Sequence, residues 1–263
     1  MTTKLTRAPS WRAIIPVAAV CAFTLLGTAP SATGLSHHVR IGVDSGSSGS
    51  TTATGWASSN WSGYAITGGP YTSVSGTWTV PAVARTKKAT YSSNWVGIDG
   101  FNNSSLIQTG TEQDFFNGGA HYNAWWEILP APETPINSIG VRPGDVMSAS
   151  ITKGSSGTWL ISIRDTSTGQ SFTTQQTYSG PLTSAEWIEE APTVNGHIAT
   201  LAHYGSATFD PGAVNGASPR LVASDGGVMI QGRAQVSTPS LPDSDVDGFK
   251  VAYGSTAPNP PSS

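Results

Sequence analysis

The sequence predicts an all-β protein folded as an antiparallel β-sandwich. Gly (30) and Pro (18) punctuate the chain and Ser and Thr fill many stretches, a mix that suits strands and turns. Short segments of period-two alternation recur between turn signals. No stretch keeps a helical period with caps at its ends. The 263 residues suffice for one large all-β domain, and 37% hydrophobic content supplies its core. Charged residues make up only 11%, well below the roughly 25% of ordinary soluble proteins.

Candidate strands run over Trp61–Ile66, Ser73–Val80, Asn94–Asp99, Leu106–Gln113, His121–Leu129, Asp145–Thr152, Thr158–Asp165, Ser171–Tyr178, Ala185–Glu190 and Gly248–Tyr253. Turn signals separate them: Gly68-Gly69-Pro70, Asn117-Gly118-Gly119, Pro143-Gly144-Asp145, Ser156-Gly157 and Thr168-Gly169. They define a β-sandwich domain over 58–254, followed by a Pro- and Ser-rich disordered tail at 255–263. Ahead of the domain, Lys4, Arg7 and Arg12 precede an apolar run from Ala13 to Leu26 and small residues up to Ala32. That order predicts a secretory signal peptide at 1–32, too short for a membrane span and without a twin-arginine pair. Residues 33–57 are rich in Ser, Gly and Thr and read as a linker or pro-segment; His37, His38 and Arg40 give it a basic start.

The single cysteine, Cys21, lies in the leader, so the mature chain is expected to have no disulfide, no thiolate metal site and no cysteine nucleophile. All 16 acidic residues but only 9 of the 13 Lys and Arg follow position 40, leaving that part at 9 − 16 = −7. This charge argues against nucleic acid and anionic membrane surfaces. No Gly-x-Ser-x-Gly elbow and no His-Glu-x-x-His occur. The only histidines beyond the linker are His121, His197 and His203, each read as a surface or hydrogen-bonded residue. Asp243-Ser244-Asp245-Val246-Asp247-Gly248 matches the opening of a calcium loop. Its twelfth position, however, is Gly254, where a bidentate Glu is needed, so an acidic turn is the better reading and a weak calcium site at Asp243, Asp245 and Asp247 the alternative. Apart from that alternative, no metal and no cofactor is expected.

Four segments carry polar groups where a core strand would be apolar: Trp95–Asp99, Leu106–Gly110, Asn123–Glu127 and Glu186–Glu190. Alternation puts Trp95 with Asp99 on one face, Asn123 with Trp125 and Glu127, and Glu186 with Glu190. Burying such groups without partners costs a few kcal/mol each, on the order of 2–7, so the face reads as a lined cleft. Spacing alone leaves several uses open. An edge strand carries charge against aggregation. A glycoside hydrolase would use Glu127 and Glu190 as acid and base with Trp95 and Trp125 as sugar platforms. A carbohydrate-binding module would use the aromatics alone.

Trp95-Val96-Gly97-Ile98-Asp99-Gly100 followed by Leu106-Ile107-Gln108-Thr109-Gly110 resembles the eqolisin, or glutamic peptidase, family. Asn123-Ala124-Trp125-Trp126-Glu127, Ala185-Glu186-Trp187-Ile188-Glu189-Glu190, Ser59-Asn60-Trp61-Ser62-Gly63 and Val74–Pro81 extend the likeness, in order, over 59–253. The resemblance implies two curved antiparallel sheets with a concanavalin or lectin-like outline. It implies a catalytic pair, Gln108 and Glu190, with Trp95, Asp99, Trp125, Glu127 and Trp61 around the bound substrate. It further implies an acid-acting endopeptidase in which Glu190 activates water and Gln108 donates to the oxyanion. The missing disulfides resemble the bacterial branch, and Asn123 and Leu129 depart from the fungal pattern. The expected partners are protein and peptide substrates, with no nucleic acid and no membrane after signal cleavage. The enzyme is expected to be monomeric and secreted to the extracellular space. Proteolysis at about pH 3–4 that resists pepstatin, chelators and serine inhibitors would separate this reading from the sugar-directed ones, by the non-titrating amide in the pair.

Overall fold

A computed structural model describes residues 1–2, 35–43 and 55–263. Nearly all of the expected signal peptide and the Ser/Gly run of 45–52 lie outside the described residues. The strands, in chain order, are β1 (Leu35–Ser36), β2 (Trp56–Ser58), β3 (Trp61–Thr67), β4 (Ser73–Thr79), β5 (Ser93–Ile98), β6 (Ile107–Phe116), β7 (Gly119–Ile128), β8 (Thr134–Ile136) and β9 (Val146–Lys153). They continue as β10 (Thr158–Asp165), β11 (Ser171–Thr177), β12 (Ser184–Glu190), β13 (Thr193–Val194), β14 (His197–Ile198), β15 (Ser206–Val214), β16 (Gly226–Gln231), β17 (Ala234–Pro239) and β18 (Phe249–Tyr253).

All ten segments picked out by alternation fall on strands. The strands between Ser206 and Pro239 carry weaker signals. In β15, Asp210-Pro211-Gly212 interrupts the alternation, and the pairing with β4 shifts between Phe209 and Gly212. β16 opens on Gly226-Gly227 and β17 ends on Pro239. Pairing with neighbours, rather than local propensity, makes these strands.

One path of paired strands runs β11-β10-β9-β4-β15-β18-β17-β16-β3-β12-β5-β6-β7-β8. It doubles back so that β4 and β9 pack on β5, and β9 and β10 on β6. Val74, Trp78, Met147, Ile151 and Ile161 from one layer thereby meet Val96, Ile98, Ile107 and Trp187 from the other. Trp187 shows how tightly the layers close. Its indole lies over Gly76 and Gly212, where an added Cβ would stand 2.8 Å and 2.9 Å from the ring. Its Nε1 donates to Ser75 O at 2.8 Å. The tail beyond Tyr253 carries no strand, and the Ser263 hydroxyl meets that of Ser244 at 2.7 Å.

β12 lies between β3 and β5 and is buried along its whole length. Its alternation sends Ala185, Trp187 and Glu189 into the core and Glu186, Ile188 and Glu190 to the opposite face. Glu189, fully buried, accepts from Asn94 Nδ2 at 2.6 Å. Burial, against the help of Asn94, drives its pKa well above the carboxylate value of 4.5, with the charge of Glu190 adding to the rise. Burial does the same to Glu186, and the charge of Asp99 also raises it.

A carboxyl whose folded pKa is raised contributes stability that is fully present below its unfolded value and lost as pH rises toward its folded one. The unfolding midpoint should therefore fall as pH climbs from about 4.5, and the fall should be shallower in Glu189→Gln, which has no proton to lose. Thermal unfolding across pH 3–8, roughly the range in which raised carboxyls titrate, checks both. A midpoint that rises between pH 4.5 and 7 would contradict them.

Candidate active site

The face opposite the core is built in three rows across β3, β12, β5, β6 and β7, because residues directly opposite on paired strands share a face. The first row reads Trp61, Glu190, Ser93, Glu112, Asn123. The second reads Gly63, Ile188, Trp95, Gly110, Trp125, and the third Ala65, Glu186, Gly97, Gln108, Glu127. Six of the seven residues expected at the site thus stand on one face: Gln108, Glu190, Trp95, Trp125, Glu127 and Trp61. Gly110 keeps the floor open between Trp95 and Trp125; a Cβ there would lie 2.5 Å from that of Trp95.

Asp99 is the exception. β5 ends at Ile98, and Asp99 has φ +72°, so the alternation that would pair it with Trp95 breaks there. Its carboxylate accepts instead from the Tyr178 hydroxyl at 2.6 Å and from Leu182 N and Thr183 N, both at 2.9 Å. It fixes the loop that leads into β12 rather than facing the cleft.

The rows hold the two catalytic candidates in different ways. Gln108 Nε2 donates to Glu127 Oε2 at 2.7 Å, which fixes the amide plane. Trp95 Nε1 donates to Glu190 Oε2 at 2.8 Å. Trp125 Nε1 donates to Ser93 Oγ at 3.2 Å, and Trp61 meets Trp95 edge to face with ring centres 4.8 Å apart.

A stretch of the chain's own backbone lies across these rows. Leu35 and Ser36 pair with Val194 and Thr193. The His37 ring, fully buried, stacks on Trp125 with centroids 3.7 Å apart and planes 13° from parallel. Its Nδ1 is 2.9 Å from Glu190 Oε2, and its Nε2 is 3.2 Å from Glu133 Oε2 and 3.6 Å from Glu112 Oε1. His38 N donates to Glu190 Oε1 at 3.1 Å, and His38 O accepts from Trp61 Nε1 at 3.0 Å. Ile41 N donates to Asn60 Oδ1 at 2.8 Å and Arg40 N to Gly100 O at 3.0 Å. The segment read as a linker or pro-segment therefore includes residues that fill the cleft.

The electrostatics follow from this cage. Burial would lower the His37 pKa, but the charge of Glu190 and hydrogen bonds to Glu112, Glu133 and Glu190 hold it well above 6.5. Ring nitrogens facing carboxylates on both sides suit the imidazolium, which donates from each. Glu127 is pushed up to about 7, mainly by burial; the His37 charge and the Gln108 bond resist and the Glu190 charge assists. Glu133 rises to about 8 through burial and its neighbour Glu112, against His37.

Sequence reasoning missed His37, Glu112 and Glu133. Glu112 had a signal, since it alternates with Gln108 along β6; Glu133 precedes a three-residue strand and had none. The ligand-type clusters among the described residues are His37–Glu112–Glu133, whose imidazole is already engaged, and Asp210–Asp243–Asp247.

Residues 59–252 match the model of the Peptidase A4 family. Aspergillopepsin-2 of Aspergillus niger is 29% identical over 198 residues, covering 65% of this chain and 70% of the relative. Scytalidopepsin B of Scytalidium lignicola is 28% identical over 200 residues, covering 74% and 75%. The crystal structure of scytalido-glutamic peptidase with a transition state analog inhibitor superposes with a TM-score of 0.64 at 24% identity, covering 74% of this chain and 98% of that one.

Carboxyl-carbon NMR should find Glu127 titrating near 7. Gln108→Leu, which removes a bond that favours the ionised form, should move that midpoint higher. A midpoint at the ordinary 4.5 would contradict the burial of this group.

Proposed function

We infer that this chain, which belongs to the Peptidase A4 (eqolisin) family, is a glutamic endopeptidase whose working pair is Gln108 and Glu190. The observation that carries the assignment is that both stand on one sheet face, each fixed by a neighbour, under a peptide segment that touches Glu190. Ionised Glu190 takes a proton from a water as the water oxygen attacks the peptide carbonyl. The Gln108 amide donates to the oxyanion that forms. Glu190 then passes its proton to the departing nitrogen, and the C–N bond breaks. His38 N lies 3.1 Å from Glu190 Oε1, which illustrates how a backbone nitrogen comes within reach of this carboxyl.

Glu127 supports the acid-acting reading. Below about pH 7 it is neutral, so the Gln108 amide beside the oxyanion has no anion next to it. Above that value its charge opposes the charge that develops on the substrate. A ring stacked on Trp125 is accommodated here by a peptide, which favours protein and peptide substrates over sugars.

Residues 35–43 make the uncut chain its own inhibitor, because the His37 ring occupies room that substrate and water need. The basic and apolar start of the chain supports secretion, and the lack of cysteine after Cys21 supports the bacterial branch. No helix among the described residues is long and apolar enough to cross a membrane. The net charge of the domain leaves nucleic acid and anionic membranes outside the partner set. We take the working form to be a monomer.

Glu190→Gln should abolish cleavage of denatured protein at acid pH while the fold persists. Gln108→Ala should lower turnover by about 10²–10³. If Glu190→Gln keeps more than a few per cent of activity, on the order of the residual left by losing an oxyanion donor, the pair is misassigned. His37→Ala should raise the initial rate of the uncut chain; an unchanged rate would show that the segment does not block the cleft.

A further inference from the structure

We propose that Asp210, Asp243 and Asp247 form a calcium site at the base of the loop between β17 and β18, remote in function from the peptide cleft. The sequence supplies the start of a calcium loop at Asp243–Gly248 but no acid at its twelfth position, Gly254. The fold supplies a ligand from elsewhere. Asp210, on β15, joins Asp243 and Asp247, with carboxylate oxygens of all three within 4.8 Å of one another. Asp245, the middle acid of the loop, is exposed and outside the set.

Four observations point to a cation rather than to a solvated acidic turn. Asp243 is only 6% exposed, and its Oδ2 has no hydrogen-bond partner. Asp247 Oδ1 is likewise buried and unpartnered. A buried oxygen left without a partner is costly, more so when it carries charge, and two stand here together.

Gly248 makes the approach feasible. A Cβ on it would lie 2.3 Å from Asp243 Oδ2 and 2.8 Å from Asp210 Cγ, so the missing side chain leaves a cradle into which both carboxyls lean. Finally, the ion pairs found among the described residues all centre on His37, so no Lys or Arg of the described chain neutralises this trio.

The donors are all hard oxygens, which suits calcium, magnesium or manganese rather than zinc or copper. Calcium is favoured because it accepts irregular oxygen shells with few waters. Magnesium holds its waters and demands a regular octahedron, which a buried Asp243 would resist. Three carboxylates without a full loop place the affinity in the weak range, roughly 10⁻⁴–10⁻³ M. Occupancy would tie β15 to the start of β18, two strands that already pair from Ser206 to Phe209.

The test uses the full chain, freed of metal with a chelator, at about pH 6, where carboxyls are ionised. Calcium chloride at ~10 mM should raise the unfolding midpoint by about 3–6 °C, the shift expected of a site with a Kd near 1 mM in a domain of this size. Magnesium at equal concentration should do much less. Calorimetric titration should give one site per chain. Asp210→Asn and Asp243→Asn should each remove the calcium increment, whereas Asp245→Asn, an equal change in charge, should keep it. Asp210 lies on a different strand from the loop, so its variant keeps the test informative if Asp243→Asn folds poorly. No calcium heat and no shift in the wild-type chain would overturn the proposal. Equal loss in Asp245→Asn would overturn it too, showing that calcium answers only to surface charge.

Discussion

Strand β12 sets the terms for the rest of the molecule. It is covered on both faces from Ser184 to Glu190, yet three of its seven side chains are carboxyls. A strand in that position ordinarily reads as a continuous apolar run. Here the neighbours are arranged around the exceptions. β5 brings Asn94 to Glu189 and Trp95 to Glu190 from alternating positions of one strand. The same two-residue period thus delivers one partner to the core and another to the cleft face.

The two faces treat their acids differently. In the core, Glu189 finds one amide and otherwise sits near the linked hydroxyls of Ser62, Ser237 and Tyr204. On the cleft face, Glu190 meets indole and amide N–H groups and the His37 ring, while Glu127 takes the Gln108 amide. Burial is the leading cause that raises Glu127, Glu133, Glu186 and Glu189 alike. Protons are therefore part of the folded structure, and acid is the condition in which this interior is cheapest to maintain.

Much of this was legible in the sequence, and the physical reason is the strand period. Gln108, Trp125, Glu127 and Glu190 could be assigned to faces within their own strands by counting in twos. The order β3-β12-β5-β6-β7, which turns five separate faces into one, depends on long-range pairing that no local pattern states. Asp99 failed the count because one left-handed residue ended its strand. His37 was hidden by its setting, a Ser- and Gly-rich stretch with no alternation to follow. Asp210 was hidden because its partners are more than thirty residues away, beyond a bulge that breaks its own strand.

The contacts made to residues 38–41 carry one more consequence. Glu190 Oε1, Trp61 Nε1, Asn60 Oδ1 and Gly100 O all grip main-chain atoms of that segment. Amides and carbonyls are common to every polypeptide, so a cleft that holds them this way is largely indifferent to sequence. It does demand that those groups be free. In a folded protein they are already committed to helices and sheets. A segment gripped in this way therefore cannot already belong to a helix or a sheet.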